Sequence, residues 1–231
     1  MNSISTRLQQ VLTQIENAAS TSSKKRCEID LLAVSKTKPV EQVMAVYALG
    51  QRKFGENYLQ EAVEKITQLQ HDGNYDDIEW HFIGPIQSNK TRPIAEHFDW
   101  VQSIDRLKVA QRLNDQRPAD MPKLNVCIQI NISAEDSKSG ADVQQARLLA
   151  AQVANLPNLV LRGIMAIPEK TTDLDKLKSQ FNQLESLYLS LQHQYNQIDT
   201  LSMGMTNDME LAIAQGSTMV RVGTAIFGAR D

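Results

Sequence analysis

Residues 124–132 read LNVCIQINI. Leu124, Val126, Ile128, Ile130 and Ile132 place an apolar side chain at every second position, with Asn125, Cys127, Gln129 and Asn131 between them. That is the period-2 pattern of a β-strand with two different faces. Seven further short apolar runs, at 29–35, 52–56, 79–84, 99–105, 159–167, 199–204 and 218–224, bring the strand candidates to eight. Helical patterns separate them, the clearest at 172–195, where Leu174, Leu177, Phe181, Leu184, Leu187 and Leu191 keep to one stripe. Regular strand–helix alternation implies parallel strands joined by right-handed crossovers. Eight such units predict an α/β fold, a (β/α)8 TIM-type barrel. An additional N-terminal helix is expected from Ile4, Leu8, Val11 and Ile15, followed by a polar loop at 21–28. A doubly wound open sheet is the alternative, but no GxGxxG follows the first strand.

In a barrel the apolar row of 124–132 faces the helices, so Gln129 and Asn131 point inward near the C-terminal mouth, where barrel active sites lie. The same logic applied to MVRVG sends Val220 and Val222 outward and Arg221 inward. An inward guanidinium needs an acceptor, because an unpaired buried charge is very costly. A ligand anion or ring nitrogen would serve, and so would an acidic residue on a neighbouring strand. Arg162, early in its strand, belongs to the opposite mouth and is assigned a structural role.

The chain has 231 residues, 42% of them hydrophobic, and is expected to form a single domain over 1–231. A net charge of −3 without a long basic block argues against nucleic acid or an anionic membrane surface as partner. Cys27 and Cys127 lie far apart with no CxxC, no secretory region opens the sequence, and no apolar run reaches the ~20 residues of a membrane span. A cytoplasmic protein is expected. The four histidines show no metal-ligand spacing, and there is neither a GxSxG elbow nor a Walker A loop.

Lys36 closes the first strand and Pro39 follows at a position suited to a helix start. Partial burial and the charge of Lys38 would both disfavour the ammonium form, freeing an amine to attack a carbonyl. The competing reading packs the lysine stem on the rim with its head in water. After the last two strands, Ser202, Gly204, Gly223 and Thr224 fit a phosphate cup, although each glycine also has a plain turn explanation. Asn57, with Gln60 three residues on, reads as a helix cap, and Asn207 with Glu210 does the same. The polar loop from His81 to Lys90, with Gln87, Ser88 and Asn89, and the loop lysine Lys138 are secondary candidates near the same mouth. His81 reads equally as a satisfied core histidine.

A lysine on the first strand, an inward arginine on the eighth and a phosphate cup beside it point together to one cofactor, pyridoxal 5'-phosphate. LLAVSKTKP, FGENYLQE, WHFIGPIQSNK, QINIS with KSG, LRGIMAIP and LSMGMTNDMELAIAQGSTMVRVGTAIFGAR resemble the pyridoxal-phosphate homeostasis proteins, relatives of the alanine racemase barrel, over nearly the whole sequence. The resemblance implies a Schiff base on Lys36, Arg221 near the pyridine nitrogen, phosphate contacts from Ser202, Gly223 and Thr224, and Asn57 and Met203 beside the cofactor. An arginine at the ring nitrogen discourages pyridinium formation and makes the ring a weaker electron sink. Racemases of this type take a second acid/base from another domain, for which seven residues beyond Thr224 leave no room. The implied role is intracellular buffering and delivery of the cofactor by a monomer, with transient contacts to apo-enzymes. An amino-acid racemase or related enzyme using the same cofactor is the alternative, and a Schiff-base aldolase acting on a phosphorylated sugar is a third reading.

Overall fold

The computed structural model describes residues 3–22, 29–133, 139–169 and 171–229; Cys27 and Lys138 lie outside them. The described strands are β1 (Asp30–Val34), β2 (Lys53–Glu56), β3 (Glu79–Phe82), β4 (Trp100–Ile104), β5 (Leu124–Ile130), β6 (Leu159–Ala166), β7 (Thr200–Ser202) and β8 (Met219–Val222). Every neighbouring pair is parallel and β1 closes on β8, giving a barrel in sequential order. Each run predicted as a strand forms one. The helices are α1 (Ile4–Thr21), α2 (Val40–Tyr47), α3 (Leu59–Asp72), α4 (Thr91–His97), α5 (Leu107–Gln116), α6 (Val143–Val153), α7 (Leu174–Gln194), α8 (Met209–Ala214) and α9 (Thr224–Phe227).

The main core lies between barrel and helices, built from outward strand residues such as Val126, Ile128, Val220 and Val222 and from helix stripes such as Leu177, Phe181, Leu184 and Leu187. Burying each such Leu or Phe is worth about 2 kcal/mol relative to exposure. Leu174 departs from the predicted stripe and is 70% exposed. It is the first residue of α7, just after the Asp173 cap that accepts from the Lys176 amide, before the helix reaches the barrel wall. The N-terminal helix α1 is capped by Ser3, buries Leu8, Val11 and Ile15, and packs against α8 and α9, where Arg7 Nε donates to the Ile226 carbonyl at 2.7 Å. No helix among the described residues is long and apolar enough to cross a membrane.

Two bulges decide what points inside. Between β4 and β5 the register shifts over Gln102 and Ser103, so Val101 and Ile104, three apart, both face the helices while Trp100 joins an interior cluster with Cys127 and Met165. Between β5 and β6, Val126 pairs with Leu161 and Cys127 with Gly163, leaving Arg162 as the extra residue. Its guanidinium lies at the lower mouth, bonded to both carboxylate oxygens of Asp199 and to Asn125 Oδ1 at 3.0 Å, and stacks over Trp100. This is the structural role expected of Arg162.

Candidate cofactor site

Lys36 stands two residues beyond the end of β1, partly buried, at the C-terminal mouth. The backbone on both sides of it is held by one cluster. Lys65, on the third helix, donates to the Ser35 carbonyl at 2.9 Å, to Glu56 Oε1 at 2.9 Å and to Glu61 Oε1 at 2.5 Å. Ser35 Oγ donates to the same Glu56 oxygen at 2.7 Å, and the Thr37 amide donates to Glu61 at 2.6 Å. Burial pushes the Glu56 carboxyl up, while the Lys65 charge and the Ser35 hydroxyl oppose that shift. Thr37 has φ 61°, the left-handed region that a β-branched residue rarely enters. Lys38 turns away, its ammonium donating to the Ala229 carbonyl at 2.6 Å.

Arg221 is 4% exposed and points into the barrel, one strand from β1 and level with Leu32. Among the described residues no carboxylate forms an ion pair with it, although the charge of Asp208 favours its cationic form. Instead Nη1 donates to the Ser202 carbonyl at 2.7 Å and to Ser202 Oγ at 2.8 Å, and Nη2 donates to the Ala166 carbonyl at 2.8 Å. These account for three of the five N–H groups of a guanidinium. Burial lowers its pKa to about 10, so it stays cationic at neutral pH.

Ser202 is fully buried at the end of β7, and its hydroxyl also meets Gln102 Oε1 at 2.6 Å. Gln102 Nε2 lies 2.9 Å from His81 Nδ1, and His81 Nε2 lies 2.9 Å from Glu79 Oε1. Burial pushes the His81 pKa down, against the pull of Glu79. His81 is thus a satisfied interior histidine, one of the two readings its sequence context left open. Gln102 was not anticipated: in DWVQSID its inward aim depends on a bulge that alternation alone does not reveal.

Asn57 follows β2. It does not cap α3, whose cap residue is Tyr58, and its buried Oδ1 has no hydrogen-bond partner among the described atoms. Gly84, after β3, presses on the same segment: a Cβ there would fall 2.2 Å from the Asn57 carbonyl oxygen. Beyond β7, Gly204 at φ 94° turns the chain so that its carbonyl accepts from the Arg221 amide at 3.0 Å. The side chain of Met203 is fully buried in the helix-facing core, so only its backbone borders the mouth. Gly223 sits against Val34, and exposed Thr224 begins α9. Asn207 is not a cap either, since α8 starts after Asp208. Gln87, Asn89 and Lys90 are exposed, and Arg106 ties the start of their loop by donating to the Ile86 carbonyl at 2.9 Å. Gln129 Nε2 donates to the Ser139 carbonyl at 3.0 Å.

The site therefore offers an amine-bearing residue just beyond β1, a cation with spare donors on β8, an acceptor after β2 with no partner among the described atoms, and open backbone after β8. Such a set suits a ligand carrying a carbonyl and a phosphate.

The family model described as alanine racemase, N-terminal domain, matches residues 7–231. The pyridoxal phosphate homeostasis protein of Escherichia coli (strain K12) is 55% identical over 231 residues, covering 100% of this chain and 98% of the relative, and that of Vibrio cholerae serotype O1 is 53% identical over the same shares. Among solved structures, PipY of Synechococcus elongatus PCC7942 with PLP bound is 34% identical with a TM-score of 0.82, covering 98% of this chain and 100% of that one. Alanine racemase of Corynebacterium glutamicum shares the fold, with a TM-score of 0.68 at 19% identity, covering 98% of this chain and 60% of that one. The chain belongs to the alanine racemase N-terminal domain family and, within it, to the pyridoxal phosphate homeostasis proteins.

Proposed function

We propose that the protein binds pyridoxal 5'-phosphate at this mouth and serves its homeostasis, holding the cofactor through Lys36 and releasing it to apo-enzymes in transient contacts. Bound there, pyridoxal phosphate supplies an aldehyde that condenses with a primary amine. The protein's residues do the rest. Lys36 provides the amine, and the Ser35–Thr37 backbone clamped by Lys65 and Glu61 holds it at the rim. Arg221 donates to the ring nitrogen, which keeps that nitrogen unprotonated and limits the ring as an electron sink. Asn57 Oδ1 takes a polar substituent of the ring, since a buried acceptor without a donor costs about 1–3 kcal/mol. Gly223 and Thr224 meet the phosphate through free backbone N–H groups, next to Ser202 and the Met203 backbone.

The observation that carries this reading is that Arg221 enters the barrel with no ion pair to an acidic side chain among the described residues and with donors to spare, next to the strand that leads into Lys36. The names of the curated relatives, matched over 98% of their length, favour homeostasis over turnover. The purified protein should show a visible absorption band that disappears on borohydride reduction. A colourless protein that takes up no pyridoxal phosphate would contradict the reading. The family model's name favours a second reading, an amino-acid racemase using the same cofactor. Loss of optical activity from L-alanine at rates proportional to loaded protein would establish it. Cytoplasmic action as a monomer completes the proposal; light scattering of loaded protein at the mass of a dimer would overturn the monomer.

A further inference from the structure

Across the barrel interior, from the upper mouth towards the lower, runs an unbroken row of polar groups: Arg221, Ser202, Gln102, His81 and Glu79. Its two ends fix the direction of every hydrogen bond in it. Arg221 has only donors, so the Ser202 oxygen accepts from it. Glu79 is held ionised, its pKa lowered to about 2, and has only acceptors, while burial keeps the His81 ring neutral, so His81 presents Nε2–H to it and keeps Nδ1 bare. Bare Nδ1 then requires the amide nitrogen of Gln102, as the geometry has it, which turns Oε1 of that amide to Ser202. The hydroxyl proton of Ser202 is therefore directed down the barrel and not toward the mouth. Gln102, His81 and Ser202 are all essentially excluded from water, so no solvent molecule substitutes for a missing link cheaply.

We propose that Gln102 and His81 are positioning residues for the cofactor site: they hold Ser202 as a fixed acceptor for Arg221, and so hold Arg221 as a fixed donor toward the ring nitrogen of the cofactor. Neither residue touches the cofactor. The proposal rests on the pyridoxal phosphate reading of the site for its consequence, but not for the polarity of the row. Without Gln102 the Ser202 hydroxyl is free to rotate, its lone pairs no longer face Arg221 by necessity, and the guanidinium keeps only its two carbonyl acceptors, of Ser202 and Ala166.

The experiment has two arms. In the first, two-bond proton–nitrogen NMR spectra of the protein without added cofactor report the tautomer of His81. A neutral ring protonated at Nε2 is expected at pH 7.5; a ring protonated at Nδ1, or doubly protonated, would overturn the proposal whatever the cofactor does. In the second, wild type, Gln102→Leu and Gln102→Glu are titrated with pyridoxal phosphate carrying nitrogen-15 in the ring. The leucine variant should bind roughly tenfold more weakly, the worth of about one hydrogen bond, with its ring-nitrogen resonance displaced. The glutamate variant, whose buried carboxyl in its protonated form donates O–H to His81 Nδ1 and still offers Ser202 an acceptor, should recover the wild-type resonance. Affinity and resonance unchanged in Gln102→Leu, even with a lower melting temperature, would reduce Gln102 to a packing role and overturn the proposal. Where that variant does not fold, His81→Phe, which cuts the row one link further from Arg221, carries the same expectation. Wild type that takes up no cofactor would instead sink the reading of the site, and is told apart because it fails before any substitution is made.

Discussion

Thr37 holds a positive φ that its side chain opposes, and it does so next to the lysine on which the site depends. A β-branched residue in this region costs about 1–2 kcal/mol. The hydrogen bond that its backbone N–H donates to Glu61, itself paired with Lys65, is what retains it. Glu61→Ala should therefore cost about 1–2 kcal/mol in urea denaturation. In a Thr37→Gly background the same substitution should cost clearly more, because glycine adopts this φ without side-chain strain and so regains nothing when the clamp is lost. Strict additivity of the two changes would contradict the clamp. His81 gives a second test at this scale. Its folded pKa is lowered, so below about pH 6.5 the unfolded chain binds a proton that the folded protein refuses. Stability then falls as pH drops, by up to about 1.4 kcal/mol per pH unit from this group. Urea midpoints measured from pH 7 to pH 5 should fall more steeply in wild type than in His81→Gln; parallel profiles would contradict a neutral, buried His81.

At the scale of elements, the ends of β2 and β3 are shaped to each other. Gly84 leaves no space for a side chain against the Asn57 carbonyl. Gly84→Ala should cost about 1–3 kcal/mol through overpacking. It should also weaken cofactor uptake by displacing Asn57, and a variant with wild-type stability and uptake would show that the contact gives way freely. The eight strands and the stripe of α7 were legible in the sequence because burial imposes simple periods on it. The bulges were not, since one inserted residue on β4 or β6 changes which side chains face inward without changing composition. That is why Lys36 and Arg221 could be singled out from LLAVSKTKP and MVRVG, whereas Gln102 could not be told from a solvent-facing glutamine. Asn57 and Asn207 were misread as caps for a related reason. Cap preference is local, and the helices here begin one residue later than either asparagine allows.

As a whole molecule, the barrel keeps two charged mouths with different tasks. The lower one is closed by Arg162 with Asp199, and by Lys53 with Asp30 at 2.6 Å. The upper one brings Lys36 and a partly satisfied Arg221 to open backbone. Asp199→Asn should lower stability by about 1 kcal/mol, as for a partly exposed pair, and leave cofactor uptake unchanged; impaired uptake at normal stability would show that the mouths are coupled. The account turns on covalent attachment through Lys36 at the upper mouth. The most direct measurement is to load the protein with pyridoxal phosphate, reduce it with borohydride, digest it and map the added mass. One equivalent on the peptide containing Lys36 is the predicted result, and the mass on any other residue, or on none, would contradict it.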